Sequence, residues 1–384
     1  TLTITTDSSM DESNYTVLVG NDFGSVESNP AKLNVLPAPN SWRKIYASSW
    51  TTAIIEDSDG NLLFQALKSN TPSLIKLNTN GTLIFEKDFN TYVSKILEVE
   101  NGYLLASNLS DSNVSEQPSR GGTDIWLQKV DYDGNKIWDK RYGGQSNDSV
   151  IDIIEAVDDG YLILGQSNSN QTLAGEKSED SKGFSDIWVI KIDQNGTKVW
   201  DKTYGGSKAD APRKIFADMN AYMILSDSNS PISGNKTVDT NGTAWILEID
   251  AQGNKIRDYT NDLPSTFSDA WYAGNGDYVT VFSDINSSEI KIQGFNASIS
   301  SALWETNITL PEDIANLEDV AIHPYQISMN FDSIGNAQMT ILNELSWMAD
   351  EQDPDHTYTT HLIKVDLSTV ADTNSSTVLW RKTL

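Results

Sequence analysis

Cysteine is absent from the 384 residues, which excludes both a disulfide framework and a thiolate metal centre. Histidine occurs three times, as His323, His356 and His361, too few and too scattered for a metal triad. Arginine is nearly as scarce, with six residues in the chain, so a guanidinium clamp for a carboxylate is not expected. Cations are outnumbered: 27 Lys and Arg stand against 54 Asp and Glu, for a net charge of −27 and a pI near 4.3. Such a field repels phosphate backbones and anionic lipid, which argues against nucleic acid and membrane surfaces as partners. No apolar run reaches 18 residues, so no segment is expected to insert in a bilayer. No stretch combines caps with a 3.6-residue period, so no helix is expected. A Gly-x-Ser-x-Gly elbow, a phosphate loop and His-Glu-x-x-His are all missing, and no catalytic or cofactor-binding residue is nominated.

What the chain does have is aromatic mass and repetition. It carries 11 Trp, 14 Tyr and 10 Phe within a 38% hydrophobic composition, ample for packed structure. Residues 124–144 read DIWLQKVDYDGNKIWDKRYGG and residues 186–206 read DIWVIKIDQNGTKVWDKTYGG. Trp126 maps on Trp188 and Trp138 on Trp200, an offset of about 62 residues, at the long end of known repeat periods. Residues 73–89 repeat the same pattern with Phe85 at the second Trp position. Further units span about 92–144, 149–206, 211–262 (with Arg257 at that position), 265–312 and the remainder to 384. Four short strands per unit, recurring about every 50–60 residues, are the signature of a β-propeller. The pattern resembles secreted bacterial and archaeal propellers whose blades read roughly sDxWvvKlDxxGnxxWxkxyGG, and EAVDDGYLILG at 155–165 matches the next inner strands of that family. The resemblance implies an all-β fold of six four-stranded blades over 41–384, with seven the alternative count. The paired Trp are expected to fill the wedge between neighbouring sheets rather than to offer a sugar platform.

Residues 1–36 read as a separate unit. TLTITT, NYTVLVGN and AKLNVL alternate like strands, with a turn at Asp22–Gly24. Asp11-x-Ser13-x-Tyr15-x-Val17 resembles the tyrosine corner of immunoglobulin-like domains, with Val17 at the second cysteine position. Such a sandwich needs about seven strands and only about three are present. Either it is completed upstream or by a neighbouring molecule. The opening in a strand pattern, without a signal peptide, suggests a mature or cropped piece of a secreted or surface protein. Residues 37–40 form a short linker. SWRKIY at 41–46 matches VLWRKTL at 378–384, giving one outer strand too many; either 41–46 supplements the last blade, or it displaces 378–384, which would then be free to join another molecule. Self-association through terminal strands, head to tail, is the partner expectation.

Other constellations are weaker. Asp57–Asp59 and Asp131–Asp133 sit in Asp-x-Asp-Gly-Asn turns like those of calcium loops, but the other units do not keep the charges, so hairpin turns are the simpler reading. No cofactor is expected, with calcium the alternative. Sialidase boxes fail on spacing, and the likeness to quinoprotein tryptophan-docking motifs extends to blade geometry alone. Long polar loops at 107–123, 167–185, 226–242 and 345–357 would emerge on one face, nearly devoid of aromatics apart from Phe184 and Trp347. Asn-x-Ser/Thr acceptors number thirteen: Asn14, Asn80, Asn108, Asn113, Asn147, Asn170, Asn195, Asn235, Asn241, Asn286, Asn296, Asn307 and Asn374. That is roughly twice the chance expectation for this composition. The expected function is a non-enzymatic, extracellular surface glycoprotein, structural or adhesive, as in a cell-surface layer, sheath or filament. The alternative is a module binding a cell-surface carbohydrate or protein on the long-loop face; a hydrolase or lyase ranks third.

Overall fold

Alternating and near-continuous runs of Val, Ile, Leu and aromatic residues, punctuated by Gly and Asx turns, favour strands throughout. In the computed structural model twenty-eight strands and no helix are found among the described residues. The structure describes these strands and, with their side chains, residues 53–66, 71–89, 91–110, 120–170, 177–218, 220–239 and 244–260. Near the N-terminus β1 (Asn14–Tyr15) pairs with β4 (Ala31–Lys32), and β2 (Leu18–Asn21) with β3 (Gly24–Glu27), both antiparallel. TLTITT, the 37–40 linker and SWRKIY lie outside the described residues.

Six four-stranded antiparallel sheets follow. The first holds β5 (Thr51–Glu56), β6 (Leu62–Lys68), β7 (Thr71–Leu77) and β8 (Leu83–Asp88). The second holds β9 (Val93–Val99), β10 (Gly102–Leu109), β11 (Asp124–Val130) and β12 (Lys136–Tyr142). The third holds β13 (Asp148–Glu155), β14 (Tyr161–Ser167), β15 (Asp186–Ile192) and β16 (Lys198–Tyr204). The fourth holds β17 (Asp210–Asp218), β18 (Ala221–Ser228), β19 (Ala244–Asp250) and β20 (Lys255–Thr260). The fifth holds β21 (Asp269–Gly274), β22 (Asp277–Ser283), β23 (Glu289–Asn296) and β24 (Trp304–Thr309). The sixth holds β25 (Val320–Phe331), β26 (Ala337–Trp347), β27 (Thr359–Asp366) and β28 (Thr377–Thr383). First strands of successive sheets lie beside one another from β5 through β9, β13, β17 and β21 to β25, and the series is not closed into a ring. The outer position of the sixth sheet is filled by β28, paired with β27 of its own chain. The version of the terminal-strand expectation in which 378–384 is displaced therefore does not describe this structure.

Successive sheets stack face on face, so their strands are buried on both sides and their apolar runs are continuous. In β15, Trp188, Ile190 and Ile192 join Ile125, Leu127 and Ile163 in the core between the second and third sheets. Ile187 and Val189 join Leu162, Trp245 and Leu247 between the third and fourth. The two Trp of one repeat thus serve opposite wedges. Trp188 and Trp245 are fully buried. Each donates its indole N–H to the Asp that follows the second Trp position, Trp188 to Asp201 at 3.0 Å and Trp245 to Asp258 at 3.0 Å, as Trp126 does to Asp139 at 2.9 Å.

The second Trp behaves differently from the core expectation. Trp138 and Trp200 are half-buried, packed against the next wedge. Each lies on the turn glycine of the following sheet: a Cβ on Gly196 would come within 3.0 Å of the Trp138 ring, and one on Gly253 within 2.8 Å of Trp200. Gly196 and Gly253 have φ of 75° and 76°, a left-handed conformation that favours glycine. Tyr142 and Tyr204 add hydrogen bonds to the carbonyls of those glycines, at 2.6 and 2.5 Å. A β-bulge sets this geometry. Lys129 pairs with Trp138 but Val130 with Lys136, leaving Ile137 as the extra residue. The same slip leaves out Ile84, Val199, Ile256 and Leu379. Bulged side chains leave the regular alternation. Accordingly Ile84, Ile137, Val199 and Ile256 are 45%, 52%, 60% and 51% exposed.

Trp188→Ala is expected to cost about 3–5 kcal/mol, as a buried cavity, and Trp138→Ala distinctly less. Gly253→Ala is expected to cost about 1–3 kcal/mol from the backbone alone. Urea unfolding checks both: equal losses for the two Trp, or a Gly253→Ala loss under about 0.5 kcal/mol, would contradict the wedge geometry.

Candidate functional site: the loop face and the turn groove

The loops between second and third strands begin later than the sequence suggested, because Ser107–Leu109, Ser167, Ser226–Ser228 and Leu345–Trp347 belong to strands. Trp347 is therefore a strand residue, whereas Phe184 is 75% exposed in its loop. Residues 111–119, 171–176, 240–243 and 348–358 lie outside the described residues. Where the loops are described, they fold back and plug their own sheet. Lys177 and Lys236 are buried. Lys177 donates to Ser167 Oγ at 3.0 Å with its ammonium 5.7 Å from the Trp188 ring centre. Lys236 donates to Ser228 Oγ at 2.7 Å and to the Ser230 carbonyl, 5.8 Å from Trp245. These distances suit a cation over an aromatic face. Burial holds both lysines below their ordinary pKa, against the pull of Asp148, Asp186 and Asp201 on Lys177 and of Asp210, Asp239 and Asp258 on Lys236.

Buried carboxylates flank these plugs. Asp148 and Asp210 accept the N–H of Gly144 and Gly206, at 2.6 and 2.7 Å, and hydrogen bonds from Ser169 and Ser230. Asp124 is paired with Arg141 at 2.7 Å, both buried. Asp186 accepts the N–H of Lys182 and Gly183 at 2.5 and 3.1 Å through Oδ2, while its Oδ1 faces Gly205 with no hydrogen-bond donor. Burial pushes Asp186 up to about 6, aided by the charge on Asp210 and opposed by the two N–H donors. Burial likewise raises Asp148. These groups are buried. No set of three metal-ligating side chains is found among the described residues.

The calcium-like turns spend their carboxylates internally. Asp57 Oδ1 accepts the N–H of Asp59 and Asn61, at 3.1 and 2.8 Å, and Oδ2 takes Tyr103 OH at 2.7 Å and Lys76 at 3.0 Å. Burial alone would raise its pKa, but the bonds from Tyr103, Asn61 and Lys76 outweigh it and hold it near 2. Asp131 repeats the turn with Asp133 and Asn135. Both are hairpin turns closed on themselves.

Among the sequence-predicted acceptors, Asn80, Asn108, Asn147, Asn170 and Asn195 are exposed. Asn108 Oδ1 accepts Val150 N–H at 2.8 Å, and Asn147 Oδ1 accepts Thr123 N–H at 3.0 Å. Asn235 is half-buried and held at both ends, accepting Gly205 N–H at 2.8 Å and donating to the Thr203 carbonyl at 3.0 Å. Asn14, Asn296 and Asn307 fall on β1, β23 and β24, where only the backbone is described. Asn113, Asn241, Asn286 and Asn374 lie outside the described residues. His323 and His361 fall on β25 and β27, with β26 between them; His356 lies outside. Sequence reasoning missed a groove of about 540 Å³ between the turns of the second and third sheets, lined by Trp138, Ile137, Lys129, Glu100, Gln194 and Asn195. Its signal was the aliphatic residue before each second Trp, which reads as strand alternation.

No protein-family model matches the chain. A stretch of 149 residues, 37% of the chain, is 22% identical to the regulatory protein FlaEY of Caulobacter vibrioides; the chain spans 16% of that protein's length. Among solved structures, Kuenenia stuttgartiensis hydrazine synthase aligns over 78% of this chain and 77% of its own, at 13% identity and a TM-score of 0.45. The WD40 β-propeller domain of Doa1 aligns over 86% and 83%, at 14% identity and a TM-score of 0.39.

Because Asp186 carries a raised pKa when folded, its contribution to stability is full below about pH 4 and is lost as pH rises through about 6. A shift of this size corresponds to about 3 kcal/mol. Asp186→Asn keeps an acceptor for Lys182 and Gly183 and removes the charge. Its Tm is expected to exceed that of the unmodified chain at pH 8, with the gap closing at pH 4; a gap independent of pH would contradict the assignment.

Proposed function

We propose that the chain is a module of an extracellular surface glycoprotein, structural or adhesive in role, built as a six-bladed propeller preceded by part of an immunoglobulin-like sandwich. The six four-stranded sheets with adjacent first strands support the propeller reading, and the ribbon formed by β1 to β4 is compatible with the last two strands of a sandwich. The observation that carries the non-enzymatic role is the fate of the perturbed groups. Asp148, Asp186, Lys177 and Lys236 are all buried in loop and turn contacts, whereas a catalytic carboxylate has to meet its substrate. Among the described residues the exterior presents acceptor asparagines at Asn80, Asn170 and Asn195 beside exposed aliphatic bulge residues. One feature favours the alternative of a carbohydrate or protein binder at the loop face, namely the exposed Phe184 ring.

Self-association through the N-terminal strands belongs to the same reading, with completion of the sandwich by upstream residues the alternative. This chain, produced in a host with an N-glycosylation pathway, is expected to exceed its 42.4 kDa polypeptide mass, with sugar on Asn80, Asn170 and Asn195 and none on the doubly bonded Asn235. Glycopeptide mapping decides this, and a bare chain removes the glycoprotein reading. Deleting residues 1–36 should abolish any higher-order species seen by light scattering; if assembly is unchanged, the terminal-strand contact is wrong.

A further inference from the structure

The groove between the second and third sheets has Asn195 in its own wall. Asn195 sits in the turn between β15 and β16, where Asp193 Oδ1 takes the N–H of both Asn195 and Thr197, at 2.9 and 2.7 Å, and leaves the Asn195 side chain exposed. Facing it across the groove are Trp138, half-buried, and Ile137, the bulge residue, 52% exposed. Glu100 and Lys129 bring a carboxylate and an ammonium to the same walls. An apolar ring and aliphatic patch edged by charged hydrogen-bonding groups match the two characters of a pyranose, an apolar C–H face and a rim of hydroxyls. A groove of about 540 Å³ is within the range of small-ligand sites.

We infer that the groove seats the first sugars of a glycan attached to Asn195, with Trp138 and Ile137 as the platform. This rests on the reading of the chain as a glycoprotein and adds to it a defined resting place for one glycan. Tethering at the wall makes occupancy intramolecular, so weak contacts suffice. The turn between β19 and β20 supplies an internal comparison. There Trp200 lies on Gly253 as Trp138 lies on Gly196, and Val199 is the bulge residue, but the position of Asn195 is taken by Gln252, which accepts no N-linked sugar.

The test is hydroxyl-radical footprinting of the whole chain, produced in a host with an N-glycosylation pathway, beside Thr197→Ala, which removes the acceptor and keeps the turn's backbone bonds. Trypsin releases 137–140 and 199–202 as equivalent peptides, each carrying one bulge residue and one Trp. With sugar on Asn195, oxidation of 137–140 relative to 199–202 is expected to rise about fivefold in Thr197→Ala, the scale of one aromatic contact. If the glycopeptide at Asn195 is present and the ratio does not change, the seating is overturned while the glycoprotein reading stands. If Asn195 is bare, both fail at this turn.

Discussion

The wedge between facing sheets is the constraint on which this architecture depends. Four-stranded sheets stacked face to face have no solvent side, so each must be filled by side chains that also satisfy the neighbour. In two of the described wedges a Trp pair drawn from different repeats does this: Trp138 with Trp188 between the second and third sheets, Trp200 with Trp245 between the third and fourth. The fully buried member carries a polar N–H into the core, and Asp201 or Asp258 receives it. A buried indole without that acceptor would leave its donor unsatisfied at a cost of roughly 1–3 kcal/mol. The Trp-Asp-Lys run therefore serves two sheets at once. Its Trp reaches forward to the next turn, and its Asp holds the first Trp of its own sheet.

The bulge makes that division geometrically feasible. Regular alternation would put Ile137 and Trp138 on opposite faces in strict register; the extra residue lets Trp138 lean onto Gly196 while Ile137 is turned out. An outer strand with a bulge is also a poor template for further strand pairing. The same irregularity therefore serves packing and keeps most outer edges solitary.

Much of the backbone pattern was legible from Trp126, Trp138 and their repeats, because strand period, turn glycine and aromatic spacing are local signals. The partition of the two Trp was not, since the slip at Val130 that sends them into different wedges leaves no mark in hydrophobic periodicity. Nor was the fate of Lys177 and Lys236 readable. Lysine in a Ser- and Asn-rich loop reads as solvated, and only the closure of the loop over Trp188 and Trp245 buries it. The acceptor motifs were countable in sequence, but whether an amide is already engaged, as at Asn235, depends on Gly205 and Thr203 some thirty residues away.

The hairpin turns explain why calcium-like and glycan-acceptor motifs fall at one place. In five turns the opening Asp or Asn, at 57, 78, 131, 193 and 250, accepts the N–H groups two and four residues on. The fourth position is glycine with φ between 74° and 78° in each. The first position is fixed by hydrogen bonding and the fourth by the left-handed backbone, as expected for Asx-type turns. The third position is bound by neither. It holds Asp59, Asn80, Asp133, Asn195 and Gln252, all exposed, and its N–H goes to the opening side chain. Acid there gives the turn the sequence of a calcium loop, while the opening carboxylate accepts the turn's own N–H groups. Asparagine there, followed by the obligatory glycine and a threonine, becomes an acceptor triplet held rigidly outward at Asn80 and Asn195. The turn's internal chemistry thus frees one position per hairpin for surface identity, and in the third sheet that position opens onto the groove beneath Trp138.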